Sequence, residues 1–149
     1  MRRRAFLLSI ALAGIAPGVT AQAVPMVEVW RSPTCGCCGG WVRHLQENGF
    51  ATRVHMVEDT SPARRSLGVP DRLAACHSAR AGGYALEGHV PASDIRRLLR
   101  EKPKAKGLAV PGMPAASPGM DVPNSPPYDV FLVRNDGRTE VFARHGGTP

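Results

Sequence analysis

No apolar run in this chain of 149 residues reaches the roughly 20 residues that a membrane-spanning helix needs. The longest, Ala5 to Ala16, is about half that, contains glycine and is followed by Pro17. Stable membrane insertion of the mature chain is therefore not expected. Aromatic residues make up only 5% of the chain, and the mature part has no basic run with aromatics set into it. That removes the usual footprint of a nucleic-acid site. No internal repeat appears either, so the chain is not an array of copied units.

What is present at the amino terminus is Arg2-Arg3-Arg4, the short apolar run, and Ala21-Gln22-Ala23 as a small-x-small cleavage site. Residues 1–23 read as a signal peptide and residues 24–149 as the mature domain. Arg3-Arg4-Ala5-Phe6-Leu7 also fits a twin-arginine signal, so Sec and twin-arginine export both stay open. Either route delivers a periplasmic or otherwise exported protein. Removing the segment takes three arginines from a chain with 19 basic and 12 acidic residues and leaves a net charge of +4. Such a charge concerns solubility rather than a partner. The remaining 126 or so residues suffice for one domain around one core.

Cys35-Gly36-Cys37-Cys38 packs three thiols into four residues, and Cys76 is the fourth cysteine of the chain. Cys35 and Cys38 have the C-x-x-C spacing of thiol redox proteins, whereas Cys37 is surplus to disulfide exchange. Three clustered thiols with a distant fourth suit a soft cation. Purely structural disulfides are the alternative in an oxidising compartment, but their geometry is poor. Adjacent Cys37 and Cys38 would close a strained ring, and Cys35 with Cys37 is nearly as awkward, because a disulfide wants Cα atoms roughly 4.4 to 6.8 Å apart. One Cys35 to Cys38 bridge is feasible.

Val27 to Trp30 alternates as a short strand, and Arg31 to Thr34 turns it into the cysteine motif. Cys38, Trp41, Val42 and Leu45 then recur at helical spacing, with Asn48-Gly49 as the stop. Phe50 to Val57 alternates as a second strand, which predicts a parallel βαβ crossover with the thiols at the carboxyl end of its first strand. Glu58 to Leu67 has helical composition, and Asp71 to Ala75 forms a further turn that delivers Cys76-His77. Ser78 to His89 folds as a hairpin around Ala81-Gly82-Gly83, and a helix enters at Pro91 with Ile95, Leu98 and Leu99 on its apolar face. Gly107 to Pro127 reads as one long loop, proline-rich and ordered over something. Asn135-Asp136-Gly137 closes the chain with a hairpin. The sum is a single α/β domain with a mixed sheet and flanking helices, in a thioredoxin-like order.

A helix amino terminus presents unpaired N–H groups that favour thiolate, the form that binds metal or attacks a disulfide. In a redox protein Cys35 would be the exposed nucleophile and Cys38 the resolving partner. Gly36 and Gly39-Gly40 would let the backbone curl around the sulfurs. His77, His89 and His145 are further candidate ligands, each weighed against an ordinary hydrogen-bonded ring. Met113 and Met120 are candidate thioether ligands, weighed against core filling. His44 reads as an exposed helix residue and His55 as a mid-strand ring. Zinc would accept several of these donors, but sulfur-rich ligation with methionine nearby favours Cu(I).

The chain resembles a known family in several blocks: Ser32-Pro33-Thr34-Cys35-Gly36-Cys37-Cys38, Ala75-Cys76-His77, Glu87-Gly88-His89-Val90-Pro91, the Lys106 to Pro114 stretch, Ser117-Pro118-Gly119-Met120 and Tyr128-Asp129-Val130. These look like the domain of unknown function 411 family, which includes CopG-like periplasmic copper-resistance proteins. The resemblance covers essentially the whole mature chain. It implies a thioredoxin-like fold that binds copper, with Cys35, Cys37, Cys38 and Cys76 as ligands of a multinuclear, cysteine-bridged Cu(I) cluster, and other periplasmic copper-handling proteins as partners. It implies cycling of copper or thiols between redox states less directly. Ser78 and Ala115-Ala116 depart from the family pattern without removing a candidate ligand.

Overall fold

The computed structural model describes residues 23–146, so the expected signal peptide lies outside the described residues except for its last position. Strand β1 (Val27–Arg31) leads into α1 (Gly36–Glu47) and back to β2 (Thr52–Met56), which pairs with β1 in parallel. The expected crossover is therefore formed, with the cysteine motif at the carboxyl end of β1. Helix α2 (Ser61–Ser66) and a 3-10 turn (Asp71–Leu73) precede β3 (His77–Ala81) and β4 (Tyr84–Glu87), an antiparallel hairpin joined through Gly82-Gly83. Then come α3 (Ala92–Glu101), β5 (Gly107–Ala109), β6 (Tyr128–Val133) and β7 (Thr139–His145).

All seven strands form one mixed sheet in the order β2-β1-β3-β4-β5-β6-β7. Side-chain alternation divides its two faces. Val27, Val29, Leu86, Leu108, Val130 and Leu132 point to the side covered by α1 and α3, where they meet Trp41, Leu45, Ile95 and Leu98 in the main core. Their neighbours Ala85, Ala109 and Val133 point the other way, onto a smaller cluster with Val69 and Leu73 beside α2. The stripe Cys38, Trp41, Val42 and Leu45 is buried as its spacing predicts. Burial of each large apolar side chain contributes about 1.5–3 kcal/mol.

The structure corrects the sequence reading at Gly107. The stretch expected to be loop from Gly107 to Pro127 opens with β5, which pairs in parallel with β4 and antiparallel with β6. All three β5 residues are buried, so the strand lacks the alternation that would reveal it. Gly107 lies so close to Ala85 that a Cβ would run into the Ala85 carbonyl. The irregular segment proper begins at Val110, beside the cysteine motif. Among the described residues, no helix is long and apolar enough to cross a membrane.

Candidate metal centre

Helix α1 begins on the cysteine motif itself. Cys35 is the residue before its first turn, with extended backbone, and the Arg31 guanidinium donates to the Cys35 carbonyl oxygen at 2.7 Å. Cys38 points inward and is fully buried, while Cys35 and Cys37 are half-buried at the mouth. Cys35 and Cys38 are joined in a disulfide across a Cα separation of 5.4 Å, the one bridge that the spacing makes feasible. Cys37 and Cys76 are free. Cys37 Sγ lies 3.5 Å from Cys35 Sγ. All four sulfurs, Cys76 included, fall within 4.8 Å of one another.

Cys76 arrives from the opposite wall, on the segment between the 3-10 turn and β3. Its position is set by Glu87 on β4, a carboxylate with no exposed surface. One Glu87 oxygen accepts from the Ala75 N–H at 2.8 Å and the other from the Ser78 hydroxyl at 2.6 Å, so the two residues flanking Cys76-His77 hang from one side chain. Burial pushes the Glu87 pKa up, and the hydrogen bonds from Ser78 and Ala75 and the Arg64 guanidinium, 3.7 Å away, oppose that push. Arg64 is itself buried and also pairs with Asp71. Gly88 closes the corner, where a Cβ would strike the Val110 carbonyl and Ala75.

Two histidines face Cys76. His89 Nδ1 is 2.8 Å from the Pro118 carbonyl, which can only accept, so Nδ1 carries the proton and Nε2 keeps its lone pair. Nε2 is aimed at Cys76 Sγ from 3.0 Å. An imidazole whose other nitrogen is held by a carbonyl is the arrangement seen in metal-ligating histidines. His77 Nδ1 lies 3.4 Å from the same sulfur, and His77 Nε2 is buried without a hydrogen-bond partner. Burial, then the neighbouring His89, lowers the His77 pKa to about 3, and burial also lowers that of His89. Burial, then the nearby Cys37, pushes the Cys76 thiol up to about 12. The pocket thus holds neutral rings around a protonated thiol. Cys76, His77 and His89 form a second group whose donor atoms lie within 4.8 Å of one another.

The loop after β5 roofs the centre. Met113 Sδ lies 3.8 Å from Cys37 Sγ, and the residue is 54% exposed. Gly119, with φ of +91°, lays its backbone against α1; a Cβ there would come within 2.7 Å of the Cys37 carbonyl oxygen, and one on Gly40 within 2.9 Å of Gly119. The glycine at 40 therefore admits the loop rather than curling around sulfur, while the Gly39 Cβ position faces the Arg31 guanidinium. Met120 sits in the turn closed by its N–H on the Ser117 carbonyl. His145 lies on β7, 2.6 Å from Asp94 and stacked on Tyr128, outside both donor groups.

Several working residues escaped the sequence reading. Glu87 ends an otherwise apolar strand and Arg64 sits in a short helix, and a buried opposite-charge pair leaves no periodic signature. Glu87 falls on the face that alternation after Leu86 leaves to polar residues, so the strand pattern gave no signal of its burial. His44 is not an exposed helix residue: its Nε2 accepts from the Ala92 N–H at 3.1 Å and so caps α3. Burial lowers its pKa, in keeping with an unprotonated acceptor. His55 stacks on Trp30 and pairs with Glu28 on the outer face.

Fold and site together define a small α/β protein with a sulfur-rich, histidine-flanked cluster suited to metal binding. A family model described as a protein of unknown function, DUF411, matches residues 73–120. Two solved structures are similar over nearly their whole length: a "Copper resistance protein copG- Form 1", 41% identical over 83% of this chain and 99% of that one with a TM-score of 0.77, and a "Form 2", 40% identical over 82% and 98% with a TM-score of 0.77. No curated protein matches. The chain belongs to the DUF411 family of CopG-like proteins.

Proposed function

We propose that this protein binds copper as Cu(I) through the thiolates of Cys35, Cys37, Cys38 and Cys76 and serves copper resistance in the periplasm. In this reading residues 1–23 direct export and residues 24–149 form a thioredoxin-like metal-binding domain. The observation that carries the reading is the approach of four sulfurs to within 4.8 Å of one another from two distant parts of the chain. An all-sulfur nest favours a soft monovalent ion over harder cations, and four thiolates can bridge more than one ion. His77, His89 and Met113 border the nest as secondary donors; Met120 and His145 stand further from the argument. The similarity to proteins named for copper resistance favours copper over zinc.

Reduced protein titrated anaerobically with Cu(I) against a competing chelator is expected to hold more than one copper per chain, far more tightly than micromolar. Binding only on the order of micromolar sinks the reading.

The Cys35–Cys38 disulfide favours a second function, thiol–disulfide or copper oxidoreduction. Cys35 is the accessible sulfur of the pair and Cys38 the buried one, as attacking and resolving thiols require. Cys37→Ser separates the two: it leaves exchange with a dithiol largely intact if redox turnover is the function, and it cripples copper loading if the nest is.

A further inference from the structure

Resting on the copper reading above, we propose that the centre has two metal capacities set by the Cys35–Cys38 bond. When the bond is closed, Cys37 and Cys76 remain as a two-thiol site for a single soft ion, flanked by Met113 and His89; when it is open, four sulfurs admit further ions.

A sulfur engaged in a disulfide carries no thiolate charge, so the bond removes Cys35 and Cys38 from the donor pool. It does not empty the pool. Cys37 and Cys76 are free, both are half-buried, and their sulfurs lie within 4.8 Å of each other. Two metal–sulfur bonds of about 2.3 Å placed end to end span about 4.6 Å. One ion therefore fits between these thiols with little movement of the main chain.

The flanking donors stay in place with the bond closed. Met113 Sδ is 3.8 Å from Cys37 Sγ, and the His89 Nε2 lone pair is 3.0 Å from Cys76 Sγ. Two thiolates with a thioether and an imidazole at hand make a soft set that still favours Cu(I). The Pro118 carbonyl that fixes the His89 tautomer lies on the loop that also carries Met113, so the roof orients both flanking donors.

Opening requires two electrons, which a dithiol partner supplies. Its thiolate attacks Cys35 Sγ, the more accessible sulfur of the bond; the Cys35–Cys38 bond breaks, and Cys38 leaves as thiolate and takes up a proton. The partner's second thiol then attacks the mixed disulfide and releases Cys35, which is protonated in turn. The partner ends as a disulfide, and Cys35 and Cys38 end as thiols holding the two electrons and two protons. Incoming copper displaces those protons. Exchange with a disulfide-bearing partner runs the same steps backwards and expels the ions beyond the first.

The test compares two samples of the full mature chain under anaerobic Cu(I) titration with a chromogenic chelator: one with the bond intact and two titratable thiols, and one reduced by a dithiol that is then removed. The expected result is about one copper per closed chain and several per open chain, with Cys37→Ser or Cys76→Ser taking the closed form to none. The Cys35→Ser/Cys38→Ser variant keeps only the proposed pair and is expected to hold about one copper, so the result does not depend on the single variants folding. A closed chain that binds none while the reduced chain loads several overturns this proposal and leaves the copper reading standing. Equal capacity in both forms, or a double variant that binds none, also overturns it. Failure of both forms to bind overturns the copper reading as well.

Discussion

The two walls of the sulfur nest are made by different means. Cys35, Cys37 and Cys38 lie within one helical turn, placed by a strand, a turn and the buried stripe that runs from Cys38 through Trp41 to Leu45. Cys76 has no such local support. It stands where it does because Glu87, Ser78, Arg64, His89 and the Pro118 carbonyl converge on its segment from separate parts of the chain. A wall built from neighbours in sequence tolerates damage that a wall built from buried, mutually satisfied polar groups does not, because each group lost from the second leaves another unpaired.

Glu87→Ala is the substitution that strikes this difference hardest. It orphans the Ala75 N–H and the Ser78 hydroxyl and leaves the buried Arg64 guanidinium to Asp71, and a cost of about 3–5 kcal/mol is expected in urea unfolding. Glu87→Gln keeps an acceptor oxygen and is expected to cost less than the alanine. Equal costs for the two would mean that the carboxylate charge, which both variants remove, rather than its hydrogen bonds to Ala75 and Ser78 holds the distal wall.

Acid provides the next probe, because the distal wall is lined with neutral rings. His77 is held at a pKa of about 3 against an ordinary 6.5, so the unfolded chain takes up its proton first as the pH falls. The lowered folded value makes this contribution fully present at neutral pH and progressively lost below about 6.5, a loss of about 2 kcal/mol between pH 7.5 and 5 for this one residue. His44 and His89, also lowered, add in the same direction. Metal-free His77→Gln should show a shallower stability decline over that range; parallel curves for variant and parent would refute the assignment.

The same division explains what could be read in advance. The near wall was legible because helical spacing, the Asn48-Gly49 stop and the β1-α1-β2 order are local signals, and each is found where it was expected. The partnership of Cys76 with the motif could be anticipated only as a juxtaposition. The Glu87 clasp, the capping role of His44 and the backbone contact between Gly40 and Gly119 join residues on different elements, whose pairing no periodicity records. Strand β5 was missed for a related reason: buried on both faces, it has no polar residues to mark an alternation.

Glycines where the roofing loop meets the near wall sharpen the contrast on a smaller scale. Gly119→Ala places a Cβ at positive φ against the Cys37 carbonyl and should cost about 1–3 kcal/mol while loosening the Pro118 contact to His89. Gly36→Ala meets nothing within 4 Å and lies in the first helical turn, so its stability change should stay below about 1 kcal/mol in either direction. Comparable melting temperatures for the two variants would show that the loop does not bear on α1.

The smallest expected effects concern donors at the margin, where the distinction between contact and proximity is finest. Met113 touches Cys37 from an exposed position, so Met113→Leu removes one thioether while preserving shape, and Cu(I) affinity should fall by about tenfold, or 1.4 kcal/mol. His145 is already engaged by Asp94 and stacked on Tyr128, and β7 is separated from β1 by four strands of the sheet. His145→Gln should therefore leave Cu(I) affinity unchanged within about twofold, less than 0.5 kcal/mol, under the same chelator competition. The pair discriminates because both residues are plausible ligands by type and only one is within reach of a cysteine. A loss with His145→Gln equal to that with Met113→Leu would mean that the site recruits donors from the far edge of the sheet, and the two-walled description would have to give way.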